Sequence, residues 1–558
     1  MNHFNILTRR AFLDRSFKIG LGVALATLAD IPFVMKRALA EGNIGLNGKK
    51  VLFIFLRGAN DSLNSLIPIV DSAYNSTNRP SILIPKDTSL GYDYTTAGLF
   101  DPTQYLDVGG TSRLATSPTF SYSKAISLGN GFAALHPSLK FLAPVYSAGQ
   151  LALIHRVAYP KQSRSHFDSQ NYWENGLPND NVNKEGVFYR TLIESGLAQT
   201  APLTGVSIQS ALPLILRGSA AAMTNLSDPT RYNLFGIPNT TAGNNKTDQF
   251  LNGANNYPFP DKKNRALLGL QYQNLSNTLN VFSGIDFTEG NGVNTGNYFK
   301  DAQVASGEGT VTDGDAPYYL FPTSNSKNGG YSLHNNDTSK YVVDTGAYSL
   351  FTNLKAASLI LNQTDAIIAG TEYSGFDTHN VQGSVTGSHA NLMRRLGWAM
   401  YSLRKYFMIY GKGGTNPMPG AKVGWNDIVV VTLSEFGRTT VENGSAGTDH
   451  AEAGAMFVAG GGITGGVYGC SPADTYNGNS VPWATGQTGS MFGVSSRYLQ
   501  RAIDYRSVLG RVIRNHLGAT QNQLNRIIPG YATAGENLQT GGISGVDGVK
   551  IAGEIPIV

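Results

Sequence analysis

Carboxylates and imidazoles recur in five short polar segments of this chain. Asp61 closes Arg57-Gly58-Ala59-Asn60-Asp61, and His166 and Asp168 follow Lys161-Gln162-Ser163-Arg164-Ser165. Asp377 and His379 lie in Gly375-Phe376-Asp377-Thr378-His379, with His389 ten residues beyond. Glu435 lies in Ser434-Glu435-Phe436-Gly437-Arg438, and Asp449-His450 ends the fifth segment. Three or more such side chains on one face make a site for a hard-to-borderline divalent cation: zinc, manganese, magnesium or calcium. The candidate ligands are Asp61, Asp377, His379, His389, Glu435, Asp449 and His450. A second cluster beside the first would hold two ions about 4 Å apart, clamping an ester oxygen and supplying hydroxide at neutral pH. Asp449 serves equally well as a carboxylate that orients His450 without any metal.

The segment Ser163-Arg164-Ser165-His166 offers a nucleophile. A hydroxyl between arginine and histidine can be activated while the guanidinium clamps an anion in bidentate fashion. The same residue types satisfy turns, with serine and aspartate accepting from backbone amides, and both readings stand at this level. Arg57 and Arg438 add positive charge for an oxyanion or act as ion-pair partners.

The elements that must position these groups follow one pattern. Apolar runs at Lys50 to Leu56, Gln150 to Val157, Asp365 to Gly370 and Asp427 to Leu433 each run into one of the polar segments, as strands buried on both faces do. Between them, apolar residues at three- and four-residue spacing predict helices over 137–148, 348–361, 389–406 and 504–516. Alternating strands and helices predict an α/β three-layer sandwich with a mostly parallel central sheet, whose site lies beyond the carboxyl ends of the strands. The Asn-, Gly- and Ser-rich stretch 218–340 reads as a loop-rich insertion or cap, and the Gly-rich 533–558 as a C-terminal tail.

The N-terminus carries Thr8-Arg9-Arg10-Ala11-Phe12-Leu13, an apolar run from Ile19 to Ala29, and Ala38-Leu39-Ala40. That order matches a twin-arginine signal peptide over 1–40, and predicts export of a folded, metal-loaded protein to the periplasm or beyond. The apolar run is about half the ~20 residues a spanning helix requires, so no permanent membrane anchor is expected. A single cysteine, Cys470, excludes an intrachain disulfide and any cysteine-rich metal or iron–sulfur site. A net charge of +5 with no basic block gives no reason to expect a nucleic-acid partner. No Gly-x-Gly-x-x-Gly follows the first strand and no Cys-x-x-Cys-His occurs, which leaves a redox role without a cofactor site.

Taken together, Phe55 to Asn64, Leu135-His136-Pro137-Ser138-Leu139, Ser163 to Phe167, Phe376 to His379, Thr432 to Thr439 and Gly447 to His450 resemble the uncharacterised, twin-arginine-exported bacterial family known as domain of unknown function 1501. The resemblance spans the signal to about Leu517, the insertion excepted. That family is in turn similar to the alkaline phosphatase and sulfatase superfamily. The likeness implies metals above a parallel sheet and transfer of a phosphoryl or sulfuryl group through a serine at 163 or 165. It further implies a first metal aspartate at Asp61, a second ligand group at Asp377 with His379 or His389, and a last histidine at His450. Where the superfamily has an adjacent Asp-His pair, this chain has Glu435-Phe436, which removes one imidazole. The expected function is an exported metal-dependent hydrolase of a small-molecule or glycan-linked phosphate or sulfate ester. Its rival is a non-catalytic exported binding protein that keeps the fold.

Overall fold

The computed structural model describes residues 44–86, 125–139, 141–198, 203–221, 223–227, 345–483, 497–532 and 536–558, with short pieces between 249 and 321. The export signal, and all but short pieces of the insertion beyond 227, lie outside the described residues.

Four of the nine strands of the main sheet arise from the four apolar runs: β1 (Lys50–Arg57), β2 (Leu151–Ala158), β5 (Ile368–Ser374) and β6 (Ile428–Leu433). The others are β3 (Gly205–Ile208), β4 (Thr224–Leu226), β7 (Gly454–Ala459), β8 (Gly466–Tyr468) and β9 (Ile503–Asp504). Their order is β8-β2-β7-β6-β1-β5-β3-β4, with β9 also on β2. β1 runs parallel to both β5 and β6, and β5-β3-β4 continues parallel. β7 is antiparallel to β6 and to β2. That single reversal leaves β2 parallel to β6, so the carboxyl ends of β1, β2, β5 and β6 meet at one edge of the sheet. The amino end of β7 meets them there. β4 falls inside the segment 218–340 expected as an insertion, so the start of that segment belongs to the main sheet.

The inner strands β1 and β6 are buried on both faces, as the unbroken apolar runs Val51 to Leu56 and Ile428 to Val431 require. Leu52, Ile54 and Leu56 of β1 join one core, and Val51, Phe53 and Phe55 join the other. The first core is closed by the helices α4 (Tyr348–Gln363) and α5 (Ser388–Ile409), and the second includes Tyr505, Val508 and Leu509 of α6 (Tyr505–Arg511). A mixed α/β architecture with a large, mostly parallel central sheet follows directly. In β2 the alternation breaks at Arg156, a residue at φ 57°, where the register with β7 also shifts. Arg156 is thus the extra residue of a β-bulge two residues before β2 ends and the chain runs on to His166.

The expected tail is part of the body. Leu538, Ile551, Ala552, Ile555 and Ile557 are each at most 2 % exposed and belong to the second core. Glycines at positive φ, among them Gly541, Gly548 and Gly553, turn this stretch, and Ile551, Ile555 and Ile557 reach the second core while Ile543 stays exposed. Replacing Ile555 or Ile557 by alanine is expected to cost about 2–5 kcal/mol in urea unfolding, as for a core aliphatic. A tail would give about 0.5 kcal/mol or less.

Candidate metal centre

The loops at this sheet edge are drawn together by a buried guanidinium. Arg438, just past β6, donates from Nε to Ala59 O (2.9 Å), from Nη1 to Thr448 O (2.9 Å), and from Nη2 to Phe376 O (3.2 Å), to Gly58 O and to the Asp377 carboxylate. Its side chain is fully buried. Gly58, at φ 109°, permits the contact between the β1 and β5 loops, since a Cβ there would lie 2.4 Å from Asp377 N. Residues 437–439 then pair with 449–452 through Thr439 N to Asp449 O (3.0 Å), Gly437 N to Glu452 O (2.7 Å) and Ala451 N to Gly437 O (2.9 Å). His450 arrives on that short ribbon, and His166 arrives as the first residue of α2 (His166–Asn175).

His166, Asp377 and His450 offer ligand atoms that all lie within 4.8 Å of one another. Asp377 Oδ1 is 3.5 Å from His166 Nε2, 3.2 Å from His450 Nε2 and 3.1 Å from His379 Nε2. The Nε2 atoms of His379 and His450 are 2.9 Å apart. The other nitrogen of each ring is held by an oxygen: His166 Nδ1 by Glu435 Oε1 (2.8 Å), His379 Nδ1 by Asp449 Oδ1 (3.2 Å), and His450 Nδ1 by the carbonyl of Arg164 (2.9 Å). A carbonyl and ionised carboxylates only accept, so all three Nδ1 atoms carry hydrogen, and in the neutral rings all three Nε2 atoms present lone pairs. His166 Nε2 is buried without a hydrogen-bond partner. Lone pairs facing each other at these separations repel unless a proton or a cation lies among them. Donors each about 2.0–2.2 Å from one ion stand roughly 3–3.5 Å apart, which is the spacing of Asp377 Oδ1 from the three imidazole Nε2 atoms. The residues fit a divalent cation.

The charges are arranged to suit. Burial raises the Asp377 carboxyl, but the hydrogen bond and charge of Arg438, then His379 and His166, outweigh it and hold it at about 2. Hydrogen bonding to Glu435 raises His166, against its partial burial. His450 is lowered, first by burial and then by Arg438 and His166. Glu435 is kept low despite burial by donors from His166, Gln170 and the Gly58 amide. Phe436, 1 % exposed, packs its ring 4.9 Å from both His166 and His450 and walls the cluster on that side.

Several expected ligands serve elsewhere. Asp61 is fully buried in a bidentate pair with Arg79 (2.8 and 3.1 Å), accepts 2.6 Å from Gln382, and caps the short helix Ser62–Ser65. Both its oxygens are committed to a guanidinium, so it is not a ligand of this cluster. His389 is buried in α5 with Nε2 on Asn60 Oδ1 (3.1 Å), and burial lowers it to about 4. Glu435 and Asp449 stand behind imidazoles in place of ligating directly. Glu435 Oε2 is nonetheless buried without a partner. Ser165 Oγ caps α2 by accepting from Asp168 N (3.4 Å), and Ser163 Oγ accepts from Ser165 N (3.2 Å). Arg164 pairs with Glu452 (2.6 Å) over the ring of Tyr498. Arg57 pairs with Glu174 and Glu372, so neither it nor Arg438 is a free oxyanion clamp.

Asn443 escaped the reading of the sequence. It donates to Asp449 Oδ1 (2.8 Å) and to the carbonyl of His379 (3.0 Å), and an asparagine in a Gly-rich turn gives no signal for that role.

The chain is thus a mixed α/β protein with a His/Asp cluster where its strand ends converge. A model of the family described as protein of unknown function (DUF1501) matches residues 420–509, which span β6, Glu435, Arg438 and the Asp449-His450 pair, and this supports the DUF1501 family. No curated protein and no solved structure matches the chain. Among the described residues no helix is long and apolar enough to cross a membrane.

Two measurements follow. Elemental analysis should find about one divalent ion per chain in the folded protein and little in Asp377→Ala or His450→Ala; equal metal content in all three would remove the site. Asp61, held at about 2 against an ordinary 3.8 mainly by Arg79 despite the cost of burial, contributes stability that is complete above about pH 4 and lost as pH falls through about 2, on the order of 2 kcal/mol. Urea midpoints of the wild type should fall across that window more steeply than those of Asp61→Asn.

Proposed function

We propose that this protein is an exported, metal-dependent hydrolase of phosphate or sulfate esters on an alkaline-phosphatase-like sheet. The observation that carries the reading is the set of three imidazoles, each fixed through Nδ1 by an oxygen so that Nε2 faces Asp377. Outer acceptors of this kind orient metal-binding histidines. His166, Asp377 and His450 would hold the ion, a three-ligand set that leaves a position open, as catalytic sites do. Two imidazoles, with one carboxylate already bonded to Arg438, favour zinc over the oxygen-seeking magnesium or calcium. Such an ion, when bound, lowers the pKa of water and polarises an ester oxygen.

His379 then has a separate task. Its side chain is 36 % exposed and Asp449 holds its Nδ1 hydrogen, so Nε2 is oriented to take the proton of an attacking water. Water rather than a serine is the nucleophile on this reading, because the Ser163 and Ser165 hydroxyls accept from the backbone amides of Ser165 and Asp168 and so serve the turn into α2. The rim suits an anionic organic ester. Arg164 and Arg497 lie there half-exposed, Phe167 beside His166 is 84 % exposed, and Val381 beyond His379 is 75 % exposed. Val381 is held at φ 42°, a costly conformation for a β-branched residue.

Zinc-loaded protein should hydrolyse an aryl phosphate or aryl sulfate. His379→Ala should keep its metal and lose at least ~100-fold in kcat, the usual contribution of a positioned base, while Ser165→Ala keeps its kcat. Loss of metal in His379→Ala would make it a ligand, and loss of kcat in Ser165→Ala would restore the serine. A binding protein that keeps the fold is the second reading. It is favoured by the pairing of both rim arginines, to Glu452 and Asp449, and by Phe436 in place of an imidazole. Full metal content with no turnover of any ester would support it.

A further inference from the structure

Gln382 lies below the cluster, fully buried, and no functional reading of the sequence singles it out. Its Nε2 donates to Asp61 Oδ2 at 2.6 Å, and its Oε1 accepts from the hydroxyls of Thr378 and Thr448, each at 2.8 Å. The orientation of the amide is fixed by its neighbours, since a carboxylate requires a donor and two hydroxyls are satisfied by an acceptor.

The two threonines are placed with the ligands. Thr378 lies between Asp377 and His379, and Thr448 precedes Asp449 and His450. Both are at most 4 % exposed, and Thr448 N bonds to Thr378 O at 3.1 Å. Gly447 lets the loops close, because a Cβ there would meet His379 O at 2.3 Å. The backbone of Gln382 adds two anchors: its N–H donates to Ala446 O (2.9 Å), and its carbonyl accepts from His389 N (3.1 Å) at the start of α5. One residue, through its side-chain amide and its backbone, therefore joins the loop after β5, the loop before β7, the first turn of α5 and the Asp61–Arg79 pair.

We infer that Gln382, through Thr378 and Thr448, is a positioning residue that fixes the spacing between the two ligand-bearing loops and so sets the affinity of the metal site. This rests on the metal reading above. Asp377 comes from one loop and His450 from the other, and their donor atoms are 3.2 Å apart. Removing a hydroxyl that references both loops to one acceptor frees that distance without touching a ligand. Outer partners of metal ligands typically set affinity by about 10–100-fold.

The test uses Co2+ as the probe, titrated into metal-stripped full chain and followed by visible d–d absorption, on wild type, Thr378→Val and Thr378→Ser. Valine keeps the volume and deletes the hydroxyl, whereas serine keeps the hydroxyl. The expected result is about tenfold or greater weakening with an altered spectrum in Thr378→Val, and wild-type affinity within about twofold in Thr378→Ser. Thr448→Val should weaken binding in the same direction, and it carries the test if Thr378→Val fails to fold by circular dichroism. Unchanged affinity in a folded valine variant, or equal loss in valine and serine variants, overturns the inference alone. Absence of Co2+ binding in the wild type overturns the metal reading, and this inference with it.

Discussion

The structure of the site depends on satisfying one buried cation. A guanidinium taken out of water costs several kcal/mol unless its donors are met, and Arg438 meets them with carbonyls of the β1 loop, the β5 loop and Thr448, plus one carboxylate. Those acceptors belong to segments far apart in sequence. Satisfying Arg438 therefore requires the loops to be assembled, and assembling the loops sets Asp377 against the imidazoles. The same bond leaves Asp377 a carboxylate shared between a fixed positive charge and whatever occupies the cluster.

Strand direction supplies what the guanidinium then fastens. In an all-parallel sheet, a pair of residues preceding a strand arrives at the wrong edge. Asp449-His450 precede β7, and β7 is the one strand of the main sheet antiparallel to both of its neighbours, β6 and β2. The reversal brings their loop to the edge where β1, β2, β5 and β6 end. The hydrogen-bonded ribbon between 437–439 and 449–452 completes the placement of His450, and backbone pairing of this kind is indifferent to side-chain type.

This explains what was legible in the sequence. Runs of aliphatic residues ending in polar segments mark buried parallel strands, so the sheet and the loops at its edge could be read from residues 50–56, 150–157, 365–370 and 427–433. Asp377, His379 and His450 could be read with them. Asp61 and His389 could not be sorted from them, because residue type does not say whether a strand-end carboxylate turns outward or in. The answer lay in Arg79, eighteen residues on, in a stretch with no motif. The acceptor for His450 Nδ1 was invisible for another reason: it is the carbonyl of Arg164, and every residue has one. The end of the chain misled through its glycines, whose turns return Ile551, Ile555 and Ile557 to the core.

The same sorting bears on how many ions the site can serve. A two-ion centre of the kind the superfamily resemblance implies needs ligands beyond His166, Asp377 and His450, and Asp61 is the first of them. Drawing Asp61 onto a metal would strip Arg79 of its only described carboxylate while that side chain stays fully buried, a change that typically costs about 3–5 kcal/mol. His389 has Nε2 on Asn60, and its Nδ1, although without a hydrogen-bond partner, belongs to an enclosed ring outside the His166–Asp377–His450 cluster. Phe436, at the position where that resemblance would put an imidazole, offers no ligand atom. The three placements point the same way: Asp61 is a structural anchor, His389 is part of the core, and Phe436 is a hydrophobic wall. Among the described residues the groups free to converge on a cation are those around Asp377, and on our reading the chemistry of this protein is that of a single ion.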